Sequence, residues 1–267
     1  MEFKFQELTP KRNIRDMRRI CALAAVVTLV ALLGLAVYVF RERSFDDYGS
    51  VPRRQLPSDW LSHVKVGIIG DSWVAHRRLD EPLRQRLSEK GLNAEVVSSG
   101  HPGAQSRQIY RDLLADQTKP YSSKALLLDA DLDYLAVVAG VNDTNGHIGR
   151  DFYAHHILGI IKAAQDRAVQ PLVVEVPEYG IECMPSSSVF SRCWHHLFRY
   201  LFDGGKVDVI EDYRGELLAR LRTLEKPVTV IKFSFVRDYA SNTNYYTDPL
   251  HLNKQGDAVL ASLIAER

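Results

Sequence analysis

Short apolar runs alternate with helix-spaced stretches along this chain from Val64 onward, and that alternation limits the fold more than any other feature. Val64 to Ile69 is a mostly apolar run closed by Gly70. Trp73 to Lys90 then carries Val74, Leu79, Leu83 and Leu87 at helical spacing until Gly91 stops it. Further strands are predicted over Ala94–Val97, Tyr134–Ala139, Pro171–Val176 and Val228–Phe233. Further helices are predicted over Gln105–Ala115, Asp151–Ala168 and Asn253–Ala265. Strands separated by helices pair in parallel, because the helix carries the chain back to the starting edge. The expected class is therefore α/β, a parallel central sheet with helices on both faces. In such sheets sites form beyond the carboxyl ends of the strands, so chemistry is expected from residues just past a strand.

A different pattern precedes this region. Ile20 to Phe40 is an uncharged apolar run of 21 residues. About 20 apolar residues cross a bilayer as a helix, whereas the apolar part of a signal peptide is about 7 to 15 residues long. Tyr38-Val39-Phe40-Arg41 offers no small-residue cleavage site, so a retained anchor is expected, with a buried core helix as the alternative. Lys4, Lys11, Arg12, Arg15, Arg18 and Arg19 precede the run, and Arg41, Arg43, Arg53 and Arg54 follow it. The excess before it places residues 1–19 in the cytoplasm and the later domain in a periplasm or outside the cell. The expected organisation is a basic terminus over 1–19, a transmembrane anchor over 20–40, a linker over 41–60 containing Gly49, Pro52 and Pro57, and the α/β domain over 61–267.

Composition is that of an ordinary globular protein, 46% hydrophobic and 25% charged, and a net charge of +1 gives no field for nucleic acid. Cys21 falls inside the apolar run. Cys183 and Cys193 stand ten apart in a segment with Pro185 and a run of serines, where they would close a disulfide or remain two thiols in a loop.

Three short segments carry the chemistry: Gly70-Asp71-Ser72-Trp73, Gly140-Val141-Asn142-Asp143 and Asp248-Pro249-Leu250-His251. A serine hydroxyl is a weak nucleophile until an imidazole takes its proton, and the imidazole needs a carboxylate to fix its tautomer. The oxyanion that forms also needs donors already aimed at it. Ser72, His251, Asp248 and Asn142 fit these four roles. An α/β-hydrolase elbow, Gly-x-Ser-x-Gly, is excluded because Val74 stands at its second glycine and the acid precedes the histidine by only three residues.

These blocks, in this order, resemble the SGNH or GDSL hydrolases over about Val64 to Ile264. Gly70-Asp71-Ser72 matches the family's first block, Gly140 to Asp143 its Gly-x-Asn-Asp block, and Asp248 to His251 its Asp-x-x-His block. Trp73 takes the place of the family's leucine, and Leu252 stands where proline is common. Laying the Asn-x-Gly-x-x-Gly block over Ser98 to Gly103 assigns the backbone oxyanion donor to Gly103, with Ser98 replacing asparagine and Gly100 as the competing glycine. The resemblance implies a flavodoxin-like three-layer sandwich. It also implies a triad of Ser72, Asp248 and His251, an oxyanion hole of Ser72, Gly103 and Asn142, and no metal or cofactor. The substrate it implies is an ester or thioester, and the apolar run separately gives a membrane as the partner of the N-terminal helix. A carbohydrate deacetylase of the cell envelope or of secreted glycans is expected, with glycan acetyl transfer, lysophospholipase or thioesterase action, or an idle envelope scaffold as alternatives.

Other residues are read structurally. His155-His156 and His195-His196 lack the spacing of a helical zinc motif. Asp71 and Asp143 are expected to hydrogen-bond turn backbones, His101 to sit in a solvated loop or line the pocket, and Asp129, Asp131 and Asp133 to form an exposed turn. Glu178 to Trp194 is expected to border the acyl or leaving-group pocket.

Overall fold

In the computed structural model the described residues are 14–40, 64–75, 77–114, 123, 131–184, 189–233 and 239–267. The chain divides into two compact units, Met1–Arg43 and Ser44–Arg267, and the expected linker over 41–60 lies outside the described residues.

The first unit contains helix α1, Ile14–Phe40, of 27 residues. Its stretch Met17–Leu35 is wholly unburied. At about 1.5 Å per residue such a helix exceeds the roughly 30 Å hydrocarbon core of a bilayer. It is long and apolar enough to cross a membrane or to serve as a signal sequence.

The second unit is built on five parallel strands, β1 Val64–Gly70, β2 Ala94–Gly100, β3 Tyr134–Val138, β4 Gln170–Val174 and β5 Thr229–Ile231, in the order β2-β1-β3-β4-β5. Ile68, Ile69, Leu135 and Val138 are buried on the central strands, as expected of a sheet covered on both faces. The chain leaves β1 through α2, Ser72–Ala75, and α3, Asp80–Glu89, to reach β2 on one side. It then returns through α4, Ser106–Leu114, to β3 on the other. Right-handed crossovers in opposite directions put α3 and α4 on opposite faces. Helix α5, Val141–Asn145, follows β3, and α6, Arg150–Asp166, carries the chain to β4 and packs on α4. Helices α7, Val189–Phe202, and α8, Ile210–Leu221, precede β5, and α8 packs on α6. The closing helix α9, Lys254–Ala265, packs on α3 and completes the opposite layer. Asn253 caps it, its side chain accepting from the Gln255 and Gly256 amides.

Several expectations need revision. The single helix over Trp73 to Lys90 is two helices, because Arg77 takes a left-handed φ of 54° and its guanidinium pairs with Asp80 at the start of α3. The stretch taken as a loop around Cys193 is helical, and Cys183 and Cys193 are free, exposed thiols. Asp133 does more than shape a turn, since its carboxylate accepts the Lys65 amide at 2.8 Å and fixes the start of β1. Asp129 lies outside the described residues.

The packing of α2 against the sheet turns on Gly100. A Cβ there would lie 2.1 Å from the Ala75 nitrogen and 2.3 Å from its Cα, both backbone atoms. Gly100→Ala is therefore expected to destabilise the domain by at least the ~1–3 kcal/mol typical of overpacking, and to lower the midpoint of thermal unfolding. An unchanged midpoint would contradict this packing.

Candidate active site

Strand order reverses between β1 and β3, and the segments leaving these two strands flank the resulting crevice. Past β1, the Asp71 amide still donates to Val138 O, so the ladder to β3 runs to the edge of the site. The Asp71 carbonyl then accepts the Val74 and Ala75 amides, and this reversal makes Ser72 the first residue of α2. A first helical residue has no intrahelical partner for its N–H, so the Ser72 amide remains available to a ligand.

Past β3, Asn142 lies in α5, and its Nδ2 donates to Ala104 O at 3.0 Å. One amide hydrogen is thereby committed to the loop after β2, which orients the side chain and leaves its second hydrogen free to donate. The same loop holds Gly103. Its φ is +72° and a Cβ there would meet nothing within 4 Å, whereas Gly100 is closed off by the backbone of α2. Of the two competing glycines, only Gly103 has space in front of it. Its left-handed backbone is the reason glycine stands there.

The late segment is held to this edge by two hydrogen bonds. Trp73 Nε1 donates to Leu250 O at 3.0 Å and the Gly180 amide to Pro249 O at 2.7 Å, while the Thr247 amide closes the segment's own turn on His251 O at 2.8 Å. Trp73 is itself buried, edge-on to Phe233 and Tyr246. Within the segment Asp248 Oδ1 accepts the Leu250 and His251 amides, which tightens the turn, and His251 Nδ1 lies 2.9 Å from Asp248 Oδ2. A carboxylate on Nδ1 leaves Nε2 as the basic nitrogen of the neutral ring. Desolvation pushes the Asp248 carboxyl up, but the His251 ring and the two amides outweigh it and hold the group below its ordinary value. Among the described residues no hydrogen bond joins the His251 ring to Ser72 Oγ. Such contacts often tighten only when substrate binds.

Two carboxylates lie beneath this edge. Burial raises Asp71 to about 7; the Trp73 amide opposes that, and the nearby Asp143 charge adds to it. Asp71 Oδ1 accepts the Trp73 amide at 3.0 Å. Burial likewise raises Asp143 to about 6, against hydrogen bonds from Ser106. Both Asp143 oxygens accept the Ser106 amide, at 3.1 and 2.9 Å, and Oδ1 also accepts its hydroxyl, which fastens α5 to the start of α4. Both residues act on turns, as the sequence suggested.

Beside Gly103 opens a cleft of ≈ 460 Å³ whose polar lining is His101, Gln108, Arg111 and Asp112. His101 is not a freely solvated side chain. Its Nε2 lies 2.8 Å from Ser123 Oγ and 3.2 Å from Asp112 Oδ2. His156 is buried, its ring donating to Phe152 O, and burial lowers it to about 4. The bond from Trp73 to Leu250 was not read from the sequence, where Trp73 counted only as an apolar replacement. The available signal was that a buried indole N–H usually finds an acceptor.

A family model described as GDSL-like Lipase/Acylhydrolase matches residues 68–259. Similar solved structures include the lipase/acylhydrolase from Enterococcus faecalis, at 15% identity and a TM-score of 0.54, covering 76% of this chain and 94% of that one. A member of the lipolytic protein G-D-S-L family from Veillonella parvula matches at 14% identity and a TM-score of 0.50, over 76% of this chain and 97% of the other. A Clostridium thermocellum family 3 carbohydrate esterase matches at 17% identity and a TM-score of 0.50, over 76% and 94%. At these identities the likeness is one of fold. No curated protein matches the sequence.

The electrostatics of the buried pair can be tested through stability. Asp71 titrates near 3.9 when unfolded and at about 7 when folded. Between these values the folded state holds the extra proton, so this group's contribution to stability falls as pH rises from about 4 to about 7. Asp71→Asn removes that loss. The unfolding midpoint of the variant, relative to wild type, is expected to climb across this interval, and a constant offset would contradict the assignment.

Proposed function

The chain belongs to the GDSL-like lipase/acylhydrolase family, and on that premise we propose that it is a serine ester hydrolase in which Ser72, His251 and Asp248 form the triad. His251 Nε2 takes the proton from Ser72 Oγ as that oxygen attacks the ester carbonyl, and Asp248 stabilises the imidazolium that results. The amides of Ser72 and Gly103 and the side chain of Asn142 receive the oxyanion. Collapse of the tetrahedral intermediate expels the alcohol, which His251 protonates. Water activated by the same imidazole then releases the acid and restores Ser72.

The observation that carries this reading is the bond from Trp73 Nε1 to Leu250 O. Trp73 adjoins the proposed nucleophile and Leu250 adjoins the proposed base, so one hydrogen bond draws together two turns nearly the whole domain apart in sequence. Further support comes from Asn142, whose engaged amide hydrogen holds the other one in a fixed direction.

As substrate we propose an O-acetylated carbohydrate. The cleft beside Gly103 presents an imidazole, an amide, a guanidinium and a carboxylate, a lining suited to hydroxyl groups rather than to a long acyl chain. One of the similar folds is named as a carbohydrate esterase, in keeping with this choice. We further propose that α1 is retained as an anchor, with the basic residues before it in the cytoplasm and the esterase domain on the opposite side of the membrane.

Hydrolysis of aryl acetate and of long-chain aryl esters by the full-length protein in detergent tests the reading. Ser72→Ala is expected to reduce kcat/KM on the acetate by at least ~10⁴-fold, and Asn142→Ala to reduce kcat by about 100 to 1,000-fold. Acetate is expected to be preferred to long chains. Equal rates for wild type and Ser72→Ala would remove Ser72 as the nucleophile, and a preference for long chains would overturn the deacetylase assignment.

A further inference from the structure

Helix α7 is set apart by where its apolar side chains point. Its sequence, VFSRCWHHLFRYLF, places Trp194, Leu197 and Leu201 at i, i+3 and i+7, with Tyr200 beside them, on one face. Arg192, His195, His196 and Arg199 occupy the opposite face, and the helix contains no Asp or Glu. The apolar face looks outward. Trp194 is 43% exposed, Leu197 48%, Leu201 63% and Tyr200 68%. Helix packing normally hides such a stripe, and an exposed one marks a surface that meets something apolar.

The C-terminal end of α7 is tied to the rim of the site. Phe202 lies against Gly149, and just beyond the helix Asp203 accepts from His147 Nδ1 at 2.8 Å. His147 and Gly149 belong to the turn after α5, which carries Asn142. Both ends of this attachment are firm. Tyr213 receives the Gly149 amide on its hydroxyl, which also reaches the Asp203 carboxylate.

We propose that α7 is an interfacial helix that lies on an anionic bilayer, its Trp194, Leu197, Tyr200 and Leu201 face in the acyl boundary and the exposed Arg192 among the headgroup phosphates. An amphipathic helix with arginine on the polar face and Trp and Leu on the other has the composition of such helices. Charge and context argue for an anionic lipid surface. The helix has no acidic residue to repel phosphate, its Arg192, His195 and His196 are exposed, and the same chain carries in α1 a helix long and apolar enough to cross a bilayer. The chain also permits it. The 23 residues between Phe40 and Val64 can extend to at most roughly 80 Å, so a domain tethered by α1 can return to the membrane. Seated in this way, α7 sets the carboxyl edge of the sheet at headgroup level. The ester that reaches it is then an acylated glycan presented on a lipid, a step that rests on the esterase reading while the docking itself does not.

Fluorescence in nanodiscs tests the docking without reference to turnover. The sequence has 3 tryptophans, Trp60, Trp73 and Trp194, so wild type minus Trp194→Phe isolates the α7 signal. Full-length protein is placed in phosphatidylglycerol nanodiscs with or without bromine on the acyl chains. Bromolipid is expected to quench the Trp194 signal by half or more, and phosphatidylcholine discs to give less quenching. The double variant Leu197→Gln, Leu201→Gln is expected to lose the quenching while keeping wild-type hydrolysis of a soluble aryl acetate, which shows that the domain is intact. A Trp194 signal equal in brominated and unbrominated discs would overturn the proposal. So would an unquenched signal accompanied by a concentration-dependent dimer in detergent, which would give the face to a second copy.

Discussion

A parallel sheet brings the ends of its strands to one edge, but it does not by itself bring the end of the chain there. Here that task falls to the indole of Trp73. Its N–H donates to Leu250 O, and its ring is packed edge-on to Phe233 and Tyr246, so the turn that carries Ser72 and the segment that carries Asp248 and His251 share a wall. The Gly180 amide to Pro249 O adds a second tie to the β4 side of the sheet. An individual hydrogen bond contributes only about 0.5–1.5 kcal/mol net to stability. Its importance here is geometric. The His251–Asp248 pair is exposed, and these fastenings position it.

Beneath the site, charge is buried where solvent cannot relieve it. Asp71 and Asp143 both titrate well above ordinary carboxylates because burial disfavours their ionised forms. Each holds a turn: Asp71 the start of α2, and Asp143 the junction of α5 with α4. The amides of those turns favour the ionised forms and oppose burial. The two residues that adjoin Ser72 and Asn142 in sequence therefore act as positioning groups for the loops, through the backbone rather than through a ligand.

Much of the architecture was legible in the sequence because the signals were local. Val64 to Ile69 and Tyr134 to Ala139 are short apolar runs next to Gly70 and Gly140, and each became a strand with only its end displaced by a residue. Asp-x-x-His was legible because its members bond to each other. The junction at Arg77 was not, since a non-glycine residue in left-handed conformation leaves no pattern in the hydrophobic spacing. Helix α7 was missed for a different reason. Its apolar positions are helically spaced, but the Pro185-Ser186-Ser187-Ser188 stretch before it reads as loop and masks its start. The difference between Gly100 and Gly103 is visible only in three dimensions, where Ala75 closes off Gly100 and Gly103 faces open space with a left-handed backbone. Contacts between distant segments, such as Trp73 with Leu250, have no signature in local spacing at all.

The central claim is that His251 activates Ser72 across the gap between the first and last turns of the domain. Reaction of the full-length protein with an aryl phosphonate, followed by peptide mass mapping, reads this directly. The account predicts one phosphonyl group, on Ser72, and loss of that labelling in His251→Ala. Labelling of Ser72 at the same rate without the imidazole, or modification confined to another residue, would contradict it.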